Sequence, residues 1–209
     1  KSYMTSPYHN LNKNSIITAM ERVYITDEKF ENINFTAQKL SEGDYEGCTF
    51  YLCDFSNADL SQFTFIDCTF SECKLAATKL VQASFRDVKF IDCKLIGLHF
   101  DHCKSTVFAA SFERCTLNMS SFYQMKLKKF RFENCILHEV DFAEANLTEA
   151  DFTNSELTKA VFENTILEKA DFRKAIDYSI DPGLNKIKKA KFSSINLSGL
   201  LDKYDIDIS

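Results

Sequence analysis

Every fifth residue over most of this chain is large and apolar. The series opens at Ile25 and runs Phe30, Phe35, Leu40, Tyr45, Phe50, Phe55, Leu60, Phe65, Phe70, Leu75, Leu80, Phe85, Phe90, Leu95, Phe100. Ser105 breaks it. Two residues out of phase it resumes at Val107 and continues through Phe112, Leu117, Phe122, Leu127, Phe132, Leu137, Phe142, Leu147, Phe152, Leu157, Phe162, Leu167 and Phe172. A helix repeats its apolar face every three to four residues and a strand every two, so a period of five fits neither. It fits short straight segments joined by corners, the signature of a solenoid.

A second inward position lies two residues before each large one and holds small side chains: Ala58, Ala83, Ala145, Ala150, Ser155, Ala160, Ala170. All eight cysteines occupy it. Cys48, Cys53, Cys68, Cys73, Cys93 and Cys103 keep the first phase, and Cys115 and Cys135 move with the second. Their spacings are multiples of five within each phase, set by the coil and not by a tetrahedral ligand set, so they are expected to be buried and reduced. Phe also recurs at a stride of twenty, through Phe30, Phe50, Phe70, Phe90 and, after the offset, Phe112, Phe132, Phe152, Phe172 and Phe192. Stacked coils place like side chains above one another, so four repeats of five make one coil. Phe192 in register implies that residues 173–191 fill one full coil despite their irregular sequence.

The motif of Ala or Cys, then Asp or Asn, then Leu or Phe, then two polar residues is the one that defines the pentapeptide-repeat family, and residues 144–153, EANLTEADFT, match it almost letter for letter. The resemblance implies an all-β chain, a right-handed quadrilateral parallel β-helix. The expected organisation is an N-terminal arm or cap over 1–24, a β-helix over 25–192 with a bulge near 104–106, and a C-terminal helix and strand over 193–209. In the last segment Leu197, Leu200, Leu201 and Tyr204 fall at helical spacing and Ile206 and Ile208 alternate. This is more apolar surface than a cap needs, and these six residues are read as a dimer interface.

That ending resembles the quinolone-resistance branch of the family (the Qnr and mycobacterial fluoroquinolone-resistance proteins). The resemblance implies a homodimer that binds DNA gyrase and topoisomerase IV as a mimic of duplex DNA and so protects against quinolones. The residues carrying such mimicry would be outward carboxylates repeating along a face: Asp67 with Asp87, Glu72 with Asp92, and Asp141, Asp151 and Asp171. The residues leave open an alternative, a structural protein–protein interaction scaffold with a different partner. The formal net charge of −5 argues against direct nucleic-acid binding. With no nucleophile beside a base, no phosphate-binding glycine loop and no paired buried carboxylates, an enzyme is not expected.

The remaining features read as structural. His99, Asp101 and His102 put two imidazoles and a carboxylate beside the bulge, but without a fourth ligand no metal and no cofactor are expected. Lys186, Lys188, Lys189 and Lys191 follow the turn signal Asp181-Pro182-Gly183 and read as a solvated loop. The sequons at Asn34, Asn118, Asn146 and Asn196 arise from the repeat itself. No apolar stretch approaches the length of a membrane span and KSYMTSPYHN has no apolar signal core, so a cytoplasmic location is expected.

Overall fold

The structure, a computed structural model, describes residues 22–207. The chain winds as a parallel β-helix with four walls. Two walls carry strands. The first holds β2 (Lys29–Glu31), β4 (Thr49–Tyr51), β6 (Thr69–Ser71), β8 (Val88–Ile91), β9 (Ala110–Glu113) and β10 (Phe132–Glu133), and the fourth holds β1 (Val23–Thr26), β3 (Gly43–Glu46), β5 (Thr64–Ile66) and β7 (Ser84–Arg86). Every pairing is parallel, with partners twenty residues apart except where β8 meets β9. The second and third walls are held by single bridges such as Asn34 with Asp54 and Asp59 with Lys79. The first strand opens at Val23, two residues before the series of large apolar residues suggests.

The corner explains the period of five. The residue two beyond most of the large ones adopts left-handed backbone, as at Asn57 (φ 58°), Glu149 (φ 61°) and Asn154 (φ 54°). Asn and Asp accept this conformation more readily than other non-glycine residues. Its N–H donates to the next coil, Asn57 to the Ala76 carbonyl at 2.9 Å. The following N–H turns back to the large residue, Ala58 to Phe55 at 2.8 Å and Ala150 to Leu147 at 3.0 Å. That turn aims the next side chain into a corner of the square, where a small residue fits.

Inside, the Phe column of the first wall is continuous. Phe112 and Phe132 stack with centroids 5.6 Å apart and planes 4° from parallel, Phe132 and Phe152 at 5.3 Å and 7°, and Phe172 and Phe192 at 5.4 Å and 7°. In the chain between the rings of the last pair, Tyr178 and Ile180 are buried. A second ladder, Phe100, Phe122, Phe142, Phe162, rises on the third wall and meets the first edge-on, as in Phe132 against Phe142 at 75°. Both arrangements suit the ring quadrupole.

The cysteine column is reduced and buried. Each thiol donates to a carbonyl of the coil below: Cys73 to Phe50 at 3.3 Å, Cys93 to Phe70 at 3.4 Å, Cys115 to Phe90 at 3.3 Å. Where the column changes residue, the Ser155 hydroxyl makes the same bond to Phe132 at 2.9 Å. A small side chain with a donor is what the slot selects. Burial pushes the Cys68 and Cys135 thiols up to about 12.

Two expectations need correction. At the offset the core residue is Phe108, not Val107. Residues 105–107 form a 3-10 turn on the outside, while Phe108 packs against the core, edge-on to Phe85 and Phe100 and stacked 5.8 Å from Phe130. The register widens there to twenty-two, Val88 opposite Ala110, so the extra residues bulge out and every later rung stays aligned. The expected short C-terminal helix is present in 3-10 form, but the strand expected after it is not. The helical part consists of 3-10 turns at Ser194–Leu200, broken at Asn196, and Asp202–Tyr204, and Asp205 (φ 49°) ends the second. Gly199 fixes the cap, because a Cβ there would lie 2.0 Å from the Tyr178 carbonyl while its own carbonyl accepts from Ile180 at 2.8 Å. Residues 205–207 form no strand.

Phe132 is fully buried and touches rings above, below and beside it. Phe132→Ala is expected to cost about 3–5 kcal/mol in urea unfolding; a loss below about 1 kcal/mol would show that the ladder is not a principal source of stability.

Candidate interaction surface

Because the interior is filled, the chemistry of the chain lies outside, at the residue before each large one and at the two after it. The sequence-expected carboxylates divide into two groups by this position. Asp67, Glu72, Asp87 and Asp92 are corner residues in left-handed backbone. Asp141, Asp151 and Asp171 precede a large residue and sit on the wall.

The wall group is occupied locally. Asp141 Oδ1 accepts from the Ala143 N–H at 2.8 Å, and Asp151 Oδ1 from the N–H of Thr153 at 3.0 Å and its hydroxyl at 2.6 Å. Asn146 caps Thr148, and Asn34 caps Thr36, in the same way, which is why the motif generates sequons. Asp171 accepts from the Arg173 N–H and guanidinium and lies 3.4 Å from Lys191 Nζ. The Arg173 side chain beside it holds its carboxyl down at about 2. Further cations complete the columns: Arg131 is 3.9 Å from Asp151, and Glu149 lies between Lys129 at 3.9 Å and Lys169 at 3.7 Å. In the second half of the rod, cations stand beside the acidic groups of these two columns, although Asp151 and Asp171 are neighbours in one of them.

The corner group differs. Asp92 is engaged by Arg114 one coil on, at 2.8 and 2.9 Å, with Glu113 on the other side of the guanidinium. No ion pair joins Asp67, Glu72 or Asp87 to another described residue. Asp67 and Asp87 stand one coil apart, as the pairing of Ile66 with Arg86 requires, and form the one uncompensated pair among the expected carboxylates.

The sequence reading missed a basic groove of about 400 Å³ where the bulge leaves the first and fourth walls. Phe108 and Phe130 lie in its floor, and Lys89, Lys126, Lys128, Lys129 and Arg131 line it beside Asp87. The signal available was Phe130, a ring in a slot that in most repeats takes a smaller side chain. A wider depression, about 940 Å³, lies along residues 35–42 and 55–63. Its Asp59 is used in capping Ser61 at 3.0 Å, and no histidine lies among its lining residues.

Of the six expected interface residues, Leu200 packs against the core, while Leu197, Leu201, Tyr204 and Ile206 are exposed; Ile208 lies outside the described residues. Ile195, not singled out from sequence, is the most exposed of this group at 88%. Lys203 ties the cap to the Asp181 turn at 2.6 Å.

In comparisons with known proteins, a family model described as a pentapeptide repeat region matches residues 43–109 and 105–177. No curated protein sequence matches the chain. Among solved structures, a trypsin-treated variant of QnrB1, a plasmid-mediated fluoroquinolone resistance protein, is 19% identical over 90% of this chain and 98% of its own, with a TM-score of 0.53. HetL, involved in heterocyst differentiation regulation in the cyanobacterium Nostoc, is 15% identical over 82% of this chain and 86% of its own, at 0.41. At these identities the likeness is one of fold. Among the described residues no helix is long and apolar enough to cross a membrane.

The folded pKa of Asp171 lies below its ordinary value of 3.8, so folding favours the ionised form. Its contribution is therefore present above about pH 4 and lost as pH falls towards 2. Asp171→Asn should lower stability by about 1 kcal/mol at pH 7, after screening of a surface pair, and by nothing measurable near pH 2. An equal loss at both pH values in urea unfolding would sink this assignment.

Proposed function

The chain belongs to the pentapeptide-repeat family, and from its filled interior we propose that it is a non-catalytic rod acting as a scaffold that docks a protein partner along its outer walls. One observation carries this reading: the buried residues are apolar side chains, thiols, hydroxyls and one amide, with no Asp, Glu, Lys or Arg among those described, while the charged groups stand in rows on the walls and corners. Rows at the coil spacing of about 4.8 Å suit a broad, flat partner surface better than a small molecule. The paired acidic and basic groups of the second half and the basic groove offer a partner both signs of charge.

A second reading is favoured by the unpaired Asp67, Glu72 and Asp87. It makes this corner the start of a DNA-like acidic edge, with DNA gyrase or topoisomerase IV as partner and quinolone protection as the outcome. The paired carboxylates farther along the rod weigh against it, since a neutralised column presents no phosphate-like potential.

Supercoiling by purified gyrase, with and without ciprofloxacin, separates the two. The scaffold reading expects no effect at micromolar protein. Rescue of the drugged enzyme, or inhibition of the free one, would overturn it in favour of the mimic, and Asp67→Lys with Asp87→Lys should then abolish the effect.

Self-association through the C-terminal turns extends the proposal, because Ile195, Leu197, Leu201, Tyr204 and Ile206 present apolar surface together at one end of the rod. Light scattering should give a dimer mass that Leu197→Asp with Leu201→Asp reduces to the monomer. A monomeric mass for the unaltered chain would refute it.

A further inference from the structure

Just before the bulge the wall departs from its regular corner. At the position of the left-handed corner residue, His102 sits instead in a 3-10 turn, Phe100–His102. Phe100 still points inward and is fully buried. The tighter turn gathers the flanking polar side chains, so that the candidate ligand atoms of His99, Asp101 and His102 all lie within 4.8 Å of one another.

The arrangement is specific. The two imidazoles lie parallel, 4.8 Å between centroids and 12° apart. His99 Nδ1 is 3.3 Å from Asp101 Oδ1, and His102 Nε2 is 3.6 Å from Asp101 Oδ2, so each carboxylate oxygen faces one ring nitrogen. The Asp101 side chain is 16% exposed, and its Oδ1, closed to solvent, receives no hydrogen bond, the His99 contact having the distance but not the alignment of one. A carboxylate oxygen left buried without a donor is costly, and a bound cation would remove that cost.

We propose that His99, Asp101 and His102 form a binding site for one divalent transition-metal cation of the zinc, cobalt and nickel class. Two imidazole nitrogens and one carboxylate oxygen make a donor set suited to these borderline ions and not to calcium or magnesium, which take oxygen ligands. Counting ligands in the sequence argues against a metal because a fourth is missing. Three protein ligands are enough when water fills the open positions, as in catalytic zinc sites. Both histidine side chains are more than half exposed, at 59% and 53%, so rotation about their side-chain bonds can close the three donors onto an ion while the backbone stays in place.

The test is titration of chelator-treated full-length protein with Co²⁺, followed by visible absorption, and with Zn²⁺ followed by calorimetry. The expected result is one ion per chain, with Zn²⁺ displacing Co²⁺, and a loss of affinity of about tenfold or more in Asp101→Asn. The double variant His99→Gln, His102→Gln should bind no ion while its circular dichroism is unchanged, since neither ring contributes to the core. Absence of saturable binding overturns the proposal. So does binding of equal stoichiometry and affinity in the double variant, which would place the ion elsewhere, at the cysteines in particular.

Discussion

The parallel hydrogen bonding of each coil onto the next, at a register of twenty residues, is the constraint on which the rest of this structure depends. It makes position in the sequence equivalent to position in a column, so a side chain must suit the residues twenty before and after it. Phe stacks on Phe and thiol follows thiol because each rung is set by its neighbours. The same rule explains the form of the interruption. Two extra residues cannot be absorbed within a wall without shifting every later side chain, so they are expelled as a 3-10 turn and the ladder resumes with Val88 opposite Ala110.

The register acts on the outside as well. Columns that align rings also align charges, and like charges directly opposite on neighbouring strands repel. The second half answers this with cations: Lys129, Glu149 and Lys169 alternate in one column, and in another the adjacent Asp151 and Asp171 are offset by Arg131, Arg173 and Lys191. The Asp67–Asp87 pair differs from Asp151 and Asp171 in that no ion pair joins it to another described residue. It tolerates repulsion that a Lys or Asn at either position would relieve, and its cost at an exposed corner is small in salt.

The inner architecture was legible because each column repeats its residue many times, and a period of five with small residues two places ahead has one geometric solution. Legibility failed where the repeat carries no information. Val107 and Phe108 both suit the core by composition, and only the bulge decides that Phe108 enters. The spacing of Leu197, Leu200, Leu201 and Tyr204 suits a helix, yet the segment must also follow the last coil closely enough for Gly199 to meet Tyr178, and it does so as 3-10 turns. For the surface, the sequence identifies which carboxylates face outward but not which are taken. Asp141 and Asp151 look as available as Asp67 until the N–H groups two residues ahead are seen to donate to them.

This difference between columns and surface also accounts for where unusual chemistry gathers. In regular coils the outer side chains stand in parallel rows about 4.8 Å apart, each beside a fixed neighbour, and three donors from one stretch of chain do not converge. Between His99 and Ala110 the chain is released from that spacing. There the tight turn brings two imidazoles against one carboxylate, and the bulge opens a groove in which lysines from the next coil face Phe108. The break at the bulge thus creates both the only clustered donor set found among the described residues and a basic depression beside it. A solenoid of this kind gains local specificity by leaving its own rule for a few residues, while the ladders on either side keep the frame aligned.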